Sequence, residues 1–261
     1  MNQIFGICNL SLVPLRAEPS DKSEMISQLL FGEHFKVLEI TEKWTRIQTT
    51  FDDYHGWIDV KQFVPISRDS YDHLNKQQPV LGLQPVHPVI KKSNEELLYL
   101  VAGSSIPDYN EGTCSIGSEI FSLAEAPVQP DAALFEENVI KTARFYLNSP
   151  YLWGGRSIYG IDCSGFSQMV FKQCGIALQR DAWQQALQGE TVDFLQETKA
   201  GDIAFFDNAE GRIIHVGIML DNEHIIHASG RVKVDTIDTE GIYSAELKRY
   251  THKLRIIRRY K

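Results

Sequence analysis

The stretch Gly160-Ile161-Asp162-Cys163-Ser164-Gly165 leads directly into a run of apolar residues at helical spacing. Asp is a residue type that caps helices, so this stretch predicts a helix that begins at or beside Cys163. Unpaired backbone N–H groups and the positive end of the helix dipole stabilise a thiolate there, and lower a thiol pKa from about 8.5. We therefore expect Cys163 to be an activated nucleophile. The remaining cysteines are expected to be buried structural residues: Cys8, Cys114 and Cys174.

Two histidines, His215 and His227, lie in apolar segments that have the pattern of strands. A thiolate that attacks an acyl group needs an imidazole to take up a proton and later deliver it to the leaving amine. If the two segments form a hairpin centred on Asp221, the histidines face each other, whereas an even-length loop shifts the pairing. The sequence therefore predicts Cys163 as nucleophile, His215 as general base and His227 as the group that orients the base.

The same three side chains would also suit zinc. Metal sites usually have more closely spaced ligands, and no carboxylate motif accompanies these residues. We therefore expect neither a metal nor another cofactor.

The residues around this stretch predict a domain over 131–261. Asp131 to Asn148 has apolar residues near the 3.6-residue period, which predicts a helix capped by Asp131. Ile203 to Phe206 and Leu254 to Ile257 have the composition of strands. Helices followed by strands indicate an α+β domain.

The chain before this domain has a different texture. Short alternating segments separated by turns over residues 6–66 predict a small β-barrel, and their motifs resemble a bacterial SH3-like domain: Gly32-Glu33, Trp44-Thr45-Arg46-Ile47 and Tyr54-His55-Gly56-Trp57-Ile58. We place this domain at 1–68 and a second, diverged SH3-like β domain at 79–128. The polar residues 69–78 between them are expected to be a linker.

Composition excludes several classes of partner. The net charge is −8 and there is no long basic run, which argues against a nucleic acid or an anionic membrane.

No apolar stretch is long enough for a membrane span, and the start of the chain lacks a signal pattern. Scattered cysteines fit a reducing compartment. We expect a cytoplasmic protein, or a secreted one if a signal has been removed.

The C-terminal third is identified as resembling the NlpC/p60 cysteine peptidases of the papain-like class. Its matching motifs are Pro150-Tyr151-Leu152-Trp153-Gly154-Gly155, Asp162-Cys163-Ser164-Gly165-Phe166, Arg180-Asp181-Ala182-Trp183, Gly201-Asp202-Ile203-Ala204-Phe205-Phe206, His215-Val216-Gly217-Ile218 and Ile226-His227-Ala228. With SH3-like domains in front, the whole chain resembles the γ-D-glutamyl-L-diamino-acid endopeptidases of that family. The expected fold class is therefore multidomain, with all-β SH3-like barrels followed by an α+β papain-like catalytic domain.

The resemblance implies a substrate and residues that bind it. The substrate would be a murein peptide such as L-Ala-γ-D-Glu-diamino acid with a free amine, and the catalytic triad would be Cys163, His215 and His227. The implied substrate-binding residues are Trp153, Asp162, Ser164, Asp181, Tyr54 and Glu24. Asp162 would pair with the substrate ammonium or cap the helix. Ala182 stands where relatives often have Ser.

Two other functions use the same features. The triad also suits an N-acetylmuramoyl-L-alanine amidase or an acyltransferase, because both use the same thioester chemistry. A wall-binding protein without catalysis would depend on the SH3-like domains alone, and the complete set of Cys163, His215 and His227 argues against it.

Overall fold

In a computed structural model that describes residues 3–261, the chain divides into two units, Met1–Pro130 and Asp131–Lys261. Residues 1 and 2 begin the predicted 1–68 domain and the predicted unexported start, and they lie outside the described residues.

The first unit begins with an antiparallel sheet in which the second, fifth and sixth strands alternate buried and more exposed side chains. The strands are β1 (Ile4–Ile7), β2 (Leu12–Arg16), β3 (Met25–Leu30), β4 (His34–Ile40), β5 (Trp44–Thr49), β6 (His55–Asp59) and β7 (Val64–Ile66). They are arranged in the order β3-β2-β6-β5-β4-β1-β7. Val13, Leu15, Ile47 and Ile58 are fully buried in one core cluster, as period-two alternation predicts.

The segment predicted to be a linker is instead helix α1 (Arg68–Lys76). Ser67 caps this helix, because its side chain accepts a hydrogen bond of 3.0 Å from the Ser70 N–H. Tyr71 is buried and its ring stacks on Phe5 of β1, with ring centroids 4.2 Å apart. The linker prediction was wrong because it was based on the many polar residues of the segment. It did not take into account that one aromatic side chain, Tyr71, packs the helix against the sheet.

Further strands follow the helix and share a core with the first sheet. They are β8 (Leu81–Gly82), β9 (Val86–Lys91), β10 (Glu96–Val101), β11 (Ser104–Ser105), β12 (Thr113–Ile116) and β13 (Glu119–Leu123). One cluster joins Ile7 and Phe31 of the first sheet to Leu100 and Phe121 of the later strands. Residues 79–128 therefore do not bury their apolar side chains independently of the first sheet.

A glycine turn fastens these two parts of the unit together. Gly32 has φ of +77°, and the Ser105 N–H donates a hydrogen bond of 2.9 Å to the carbonyl of Phe31. A side chain added at Gly32 would overlap the backbone oxygen of Ser105. Position 32 thus requires glycine both for its dihedral angle and for its close contact.

The second unit places helices before a sheet. A 3₁₀ turn (Ala132–Leu134), which Asp131 caps, precedes α2 (Phe135–Phe145). The later elements are β14 (Arg156–Ser157), β15 (Gly160–Ile161), α3 (Cys163–Gln173), α4 (Ala182–Gln185), β16 (Glu190–Val192), a 3₁₀ turn (Leu195–Glu197), β17 (Ile203–Asp207), β18 (Ile213–Met219), β19 (His224–Ser229), β20 (Arg231–Ile237), β21 (Gly241–Ser244) and β22 (Arg249–Arg259).

The sheet of the second unit closes on itself. Its order is β16-β22-β17-β18-β19-β20-β21, and β22 also pairs with β21. Helix α3 is buried along nearly its whole length and packs against β18 and β19. A separate cluster of strand side chains includes Phe206, Met219, Ile225 and Ile242. The histidines of β18 and β19 are thereby held in an apolar setting.

The expected order, an all-β region followed by an α+β domain, is confirmed. Within residues 3–261, no helix is long and apolar enough to cross a membrane.

The Gly32 turn yields a stability prediction with a matched control. Gly117→Ala meets no atom within 4 Å at a φ of +61°, so it should cost only the left-handed backbone penalty of about 1–2 kcal/mol. Gly32→Ala adds the overlap with Ser105 and should lower the free energy of unfolding in urea by clearly more. Equal losses in the two variants would contradict the assigned role of the turn.

Candidate active site

Cys163 is the first residue of α3, as the sequence predicts. Asp162 caps this helix, because its Oδ1 accepts a hydrogen bond of 2.6 Å from the Gly165 N–H. The sulfur of Cys163 accepts hydrogen bonds from the backbone N–H groups of Val216 and Ser164. Since Val216 directly follows His215 in β18, the candidate nucleophile lies beside the strand that carries the candidate base.

The expected thiolate is not what the site favours. Burial raises the pKa of the Cys163 thiol to about 12, and the negative charge of Asp162 raises it further, although the Val216 N–H and Arg180 partly oppose them. The backbone N–H groups at the helix end lower the pKa of the thiol, as the sequence predicts, but only 7% of Cys163 is exposed and desolvation outweighs them. The direction of the shift favours the thiol, and an activated thiolate at Cys163 stays a prediction.

A buried ion pair holds the loop around Cys163. Arg180 donates to both carboxylate oxygens of Asp162, with distances of 2.6 Å and 3.1 Å, and also to the Ser164 hydroxyl at 2.9 Å. The second oxygen of Asp162 also accepts a hydrogen bond of 2.8 Å from the Gly154 N–H. Asp162 thus fulfils the capping role, and its charge is compensated by Arg180, a residue whose part the sequence did not reveal.

His215 and His227 form a direct hydrogen bond, although their strands pair in a different register from the one expected. Nε2 of His215 lies 2.8 Å from Nδ1 of His227, and both rings are buried. Gly217, not His215, faces His227 across β18 and β19. The hairpin centre is shifted because the Asp221 side chain accepts hydrogen bonds of 2.8 Å from the N–H groups of Glu223 and His224.

Glycine at position 217 makes the diagonal contact between the histidines feasible. A Cβ at that position would lie 2.9 Å from Cβ of His227 and 2.7 Å from Ile225. His227 therefore packs over the open backbone of Gly217 and meets the ring of His215 two residues away.

A carboxylate on the next strand continues the hydrogen-bonded series. Oδ2 of Asp235 in β20 lies 3.1 Å from Nε2 of His227 and 3.0 Å from Nζ of Lys233. Burial raises the pKa of Asp235, but the hydrogen bonds from His227 and Lys233 outweigh it and hold that pKa below its usual value. The sequence contains a signal for Asp235. It lies in the strand that follows the histidine hairpin, at one of the alternating positions whose side chains point into the protein.

A third imidazole covers the ring of His215. His252 of β22 stacks on it with ring centroids 3.9 Å apart and planes 21° from parallel. Phe206 contacts both rings, at centroid distances of 5.7 Å from His215 and 5.9 Å from His252. These contacts fix the plane of the His215 ring, and nothing in the spacing of the sequence points to His252.

The environment keeps the imidazoles neutral. Burial lowers the pKa of His215 well below its usual value, and the nearby His227 and His252 lower it further. Burial also lowers the pKa of His227 and lowers that of His252 to about 4. The directions of these shifts favour a neutral thiol and neutral imidazoles.

The three imidazoles are the one group of possible metal ligands in the described part of the chain, with ligand atoms within 4.8 Å of one another. However, His215 and His227 share a hydrogen bond through the nitrogens that would bind the ion, and the stacked rings of His215 and His252 direct their lone pairs in nearly parallel planes. This arrangement suits proton transfer better than tetrahedral coordination.

The other predicted site residues lie in several places. Trp153 is exposed at 59%, before β14, and Asp181 precedes α4, with its N–H bonded to Gln184 at 3.0 Å. Tyr54 and Glu24 belong to the first unit: Tyr54 is packed against the β-sheet core, and Glu24 is exposed before β3. The part of these four residues in substrate binding stays a prediction.

Comparison with known proteins identifies the class. The NlpC/P60 family profile matches residues 148–253, and that of the bacterial dipeptidyl-peptidase Sh3 domain matches residues 15–63. The chain is 30% identical over 239 residues to the gamma-D-glutamyl-L-lysine dipeptidyl-peptidase of Bacillus subtilis (strain 168), covering 85% of this chain and 78% of that protein. It is 28% identical over 253 residues to dipeptidyl-peptidase 6 of Lysinibacillus sphaericus, covering 87% and 89%.

The fold is also similar to that of an NlpC/P60 family protein from Bacillus cereus ATCC 10987, with a TM-score of 0.80, 20% identity, and coverage of 98% of this chain and 99% of that one. The chain belongs to the NlpC/P60 family. It is a cysteine peptidase with an SH3-like all-β region ahead of its catalytic domain.

The buried ion pair gives a second testable prediction. Arg180→Met should lower the free energy of unfolding by about 3–5 kcal/mol, because it leaves the Asp162 carboxylate buried without its counter-charge. Adding Asp162→Asn to that variant should recover part of the loss. Arg231→Met, which removes the exposed pair with Glu246, is the control and should leave unfolding nearly unchanged. Strictly additive losses of the 162 and 180 variants would rule out the pairing.

Proposed function

We propose that this peptidase hydrolyses the bond between γ-D-Glu and the diamino acid in murein peptides that carry a free N-terminal L-Ala. The observation that carries the catalytic part is the buried hydrogen-bonded series His215, His227 and Asp235. Cys163 accepts a hydrogen bond from the N–H of Val216, the residue that follows His215, which supports pairing of the thiol with that imidazole. The bond after γ-D-Glu is supported by the name of the Bacillus subtilis relative, and release of a dipeptide is supported by that name and by the name of the Lysinibacillus sphaericus relative.

The reaction begins with two neutral groups. Sγ of Cys163 attacks the γ-carbonyl carbon of D-Glu as His215 takes the thiol proton, so that the nucleophile gains charge only as the new bond forms. The tetrahedral oxyanion then expels the amine of the diamino acid, which receives the proton from the His215 imidazolium. Water hydrolyses the thioester, passes a proton to His215, and releases the dipeptide with the Cys163 thiol restored.

The charge that develops needs stabilisation from fixed dipoles. The Ser164 N–H at the start of α3 donates to the sulfur of Cys163, and in this proposal the positive end of the helix dipole there favours an oxyanion on the attacked carbonyl. Tyr151 lies close enough for the charges of Cys163 and Asp162 to raise its pKa, after the larger effect of burial. Its hydroxyl therefore stays protonated at neutral pH and is a second candidate donor to the oxyanion.

The loop that carries the nucleophile is positioned before substrate arrives. In this proposal Asp162 and Ser164 act with Arg180 to fix the start of α3, and Trp153 and Asp181 contribute to the substrate pocket. Recognition of the free amine by Asp162, Tyr54 or Glu24 remains a prediction. Asp162 would have to bind the substrate ammonium while it also keeps its hydrogen bonds with Arg180. We retain the domain bounds predicted from the sequence, 1–68, 79–128 and 131–261, as part of this proposal.

Product analysis tests this function. The enzyme should release L-Ala-γ-D-Glu from L-Ala-γ-D-Glu-meso-diaminopimelate, as followed by mass spectrometry. An acetylated N-terminus should cost about 1–3 kcal/mol, or roughly 5- to 160-fold in kcat/KM, because polar groups in the pocket lose their partner.

Two variants serve as controls for the nucleophile. Cys163→Ala should release no product, whereas Cys174→Ala, which alters a buried thiol at the end of the same helix, should remain active. Equal rates on free and acetylated peptide, or release of L-Ala from a muramoyl group instead, would contradict the proposed specificity.

A further inference from the structure

We propose that Asp235 sets the tautomers of His227 and His215, and that Lys233 fixes which atom of residue 235 faces His227. Both are positioning residues, and the inference rests on the proposed function because it concerns the base of that reaction. It follows from which atoms meet in the hydrogen-bonded series.

The series runs diagonally over three neighbouring strands. His227 in β19 faces Gly217 of β18 on one side and Lys233 of β20 on the other. His215 and Asp235 lie two residues from those positions, so that all the side chains project from one face of the sheet. The His215, His227 and Asp235 side chains are buried, which keeps competing water donors away from the series.

The direction of each hydrogen bond follows from the carboxylate. An ionised carboxylate only accepts, so Nε2 of His227 must carry the hydrogen that bridges the 3.1 Å to Oδ2 of Asp235. A neutral imidazole has a single N–H, and Nδ1 of His227 is then an acceptor. The hydrogen in the 2.8 Å contact between the histidines therefore belongs to Nε2 of His215. Nδ1 of His215 is left unprotonated, as a general base requires.

Lys233 restricts which kind of atom residue 235 can direct toward His227. Its ammonium donates to the same Oδ2 of Asp235 at 3.0 Å, its side chain is only 12% exposed, and it also approaches Glu246 at 3.5 Å. An ammonium has three donors and no acceptor, so whichever atom faces Lys233 must be an oxygen. That same atom faces His227. Lys233 therefore requires an oxygen at the position of residue 235 that faces His227, a requirement that Asp235 meets with either oxygen and that an amide would meet in only one orientation.

This arrangement makes an unusual prediction for an amide at position 235. In Asp235→Asn, Lys233 should hold the amide oxygen toward His227, so both tautomers and most of kcat should persist. In Asp235→Asn with Lys233→Met, the amide is free to turn and donate to Nε2 of His227. The hydrogen bonds then reverse, Nδ1 of His215 becomes protonated, and the base is lost in the molecules that have turned.

A double-mutant cycle on kcat distinguishes this role from a structural one. Lys233→Met alone should change kcat little, since a carboxylate accepts with either oxygen. When it is added to Asp235→Asn, it should lower kcat by roughly 10-fold or more, with little effect on KM. If Lys233 only neutralised a buried carboxylate, its loss would be harmful beside Asp235 and harmless beside an amide. That opposite sign of coupling would overturn the proposal.

Nitrogen-15 NMR of histidine-labelled enzyme reads the tautomers without any substrate. The wild type should show Nε2–H and an unprotonated Nδ1 for both His215 and His227, with signals assigned by their loss in His215→Gln and His227→Gln. The double variant should show Nδ1–H at both. Protonated Nδ1 of His215 in the wild type would overturn the inference, whereas a wild type with these tautomers that leaves the tripeptide uncleaved would count against the proposed function alone.

Discussion

The hydrogen bond between the buried rings of His215 and His227 constrains most of the catalytic unit. It requires a diagonal approach across β18 and β19, and that approach requires glycine at position 217, where a side chain would collide with His227. A buried nitrogen must also keep its partner on the far side, because an unpaired polar atom in this setting costs about 1–3 kcal/mol. Asp235 on β20 meets that need. The neighbouring strands β18, β19 and β20 thus carry one buried hydrogen-bonded series, on which the proposed mechanism depends.

Desolvation explains why the site differs from a cysteine at an exposed helix end. Burial raises the pKa of Cys163 and lowers that of His215, so both shifts favour the uncharged pair. The charges kept permanently near the nucleophile, those of Asp162 and Arg180, compensate each other. Asp162 acts on the sulfur more strongly than Arg180 does, so the effect that remains also favours the thiol. Charge appears when a substrate carbonyl is attacked, and the dipoles of α3 then act on it in a medium that screens them weakly.

Local chemistry in the sequence was sufficient to place Cys163 at the start of its helix and His215 and His227 in neighbouring strands, because capping residues and strand periodicity are encoded by near neighbours. It failed where a tertiary contact decides the outcome. Tyr71 converts an apparent linker into a packed helix, and the side chain of Asp221 shifts the hairpin by one residue on each strand. His252 reaches His215 only because β22, a strand distant in the sequence, pairs with β17, the neighbour of β18. Asp235 could have been predicted as a site residue from the sequence. Lys233, Asp235 and Ile237 alternate along β20 and so point to the same side of the sheet, and two of these three side chains are charged.

The proposed mechanism starts from Cys163 and His215 as a neutral pair, the state that both pKa shifts favour. The most direct measurement is the ultraviolet thiolate absorbance of the wild type minus that of Cys163→Ala, recorded from neutral to strongly alkaline pH. The contributions of Cys8, Cys114 and Cys174 cancel in this difference because both proteins contain them. A neutral resting pair predicts no thiolate band at neutral pH and its growth only on the alkaline side of an ordinary thiol pKa. A full band for one thiolate at neutral pH would show that a thiolate–imidazolium pair is the resting state, and would contradict the neutral pair.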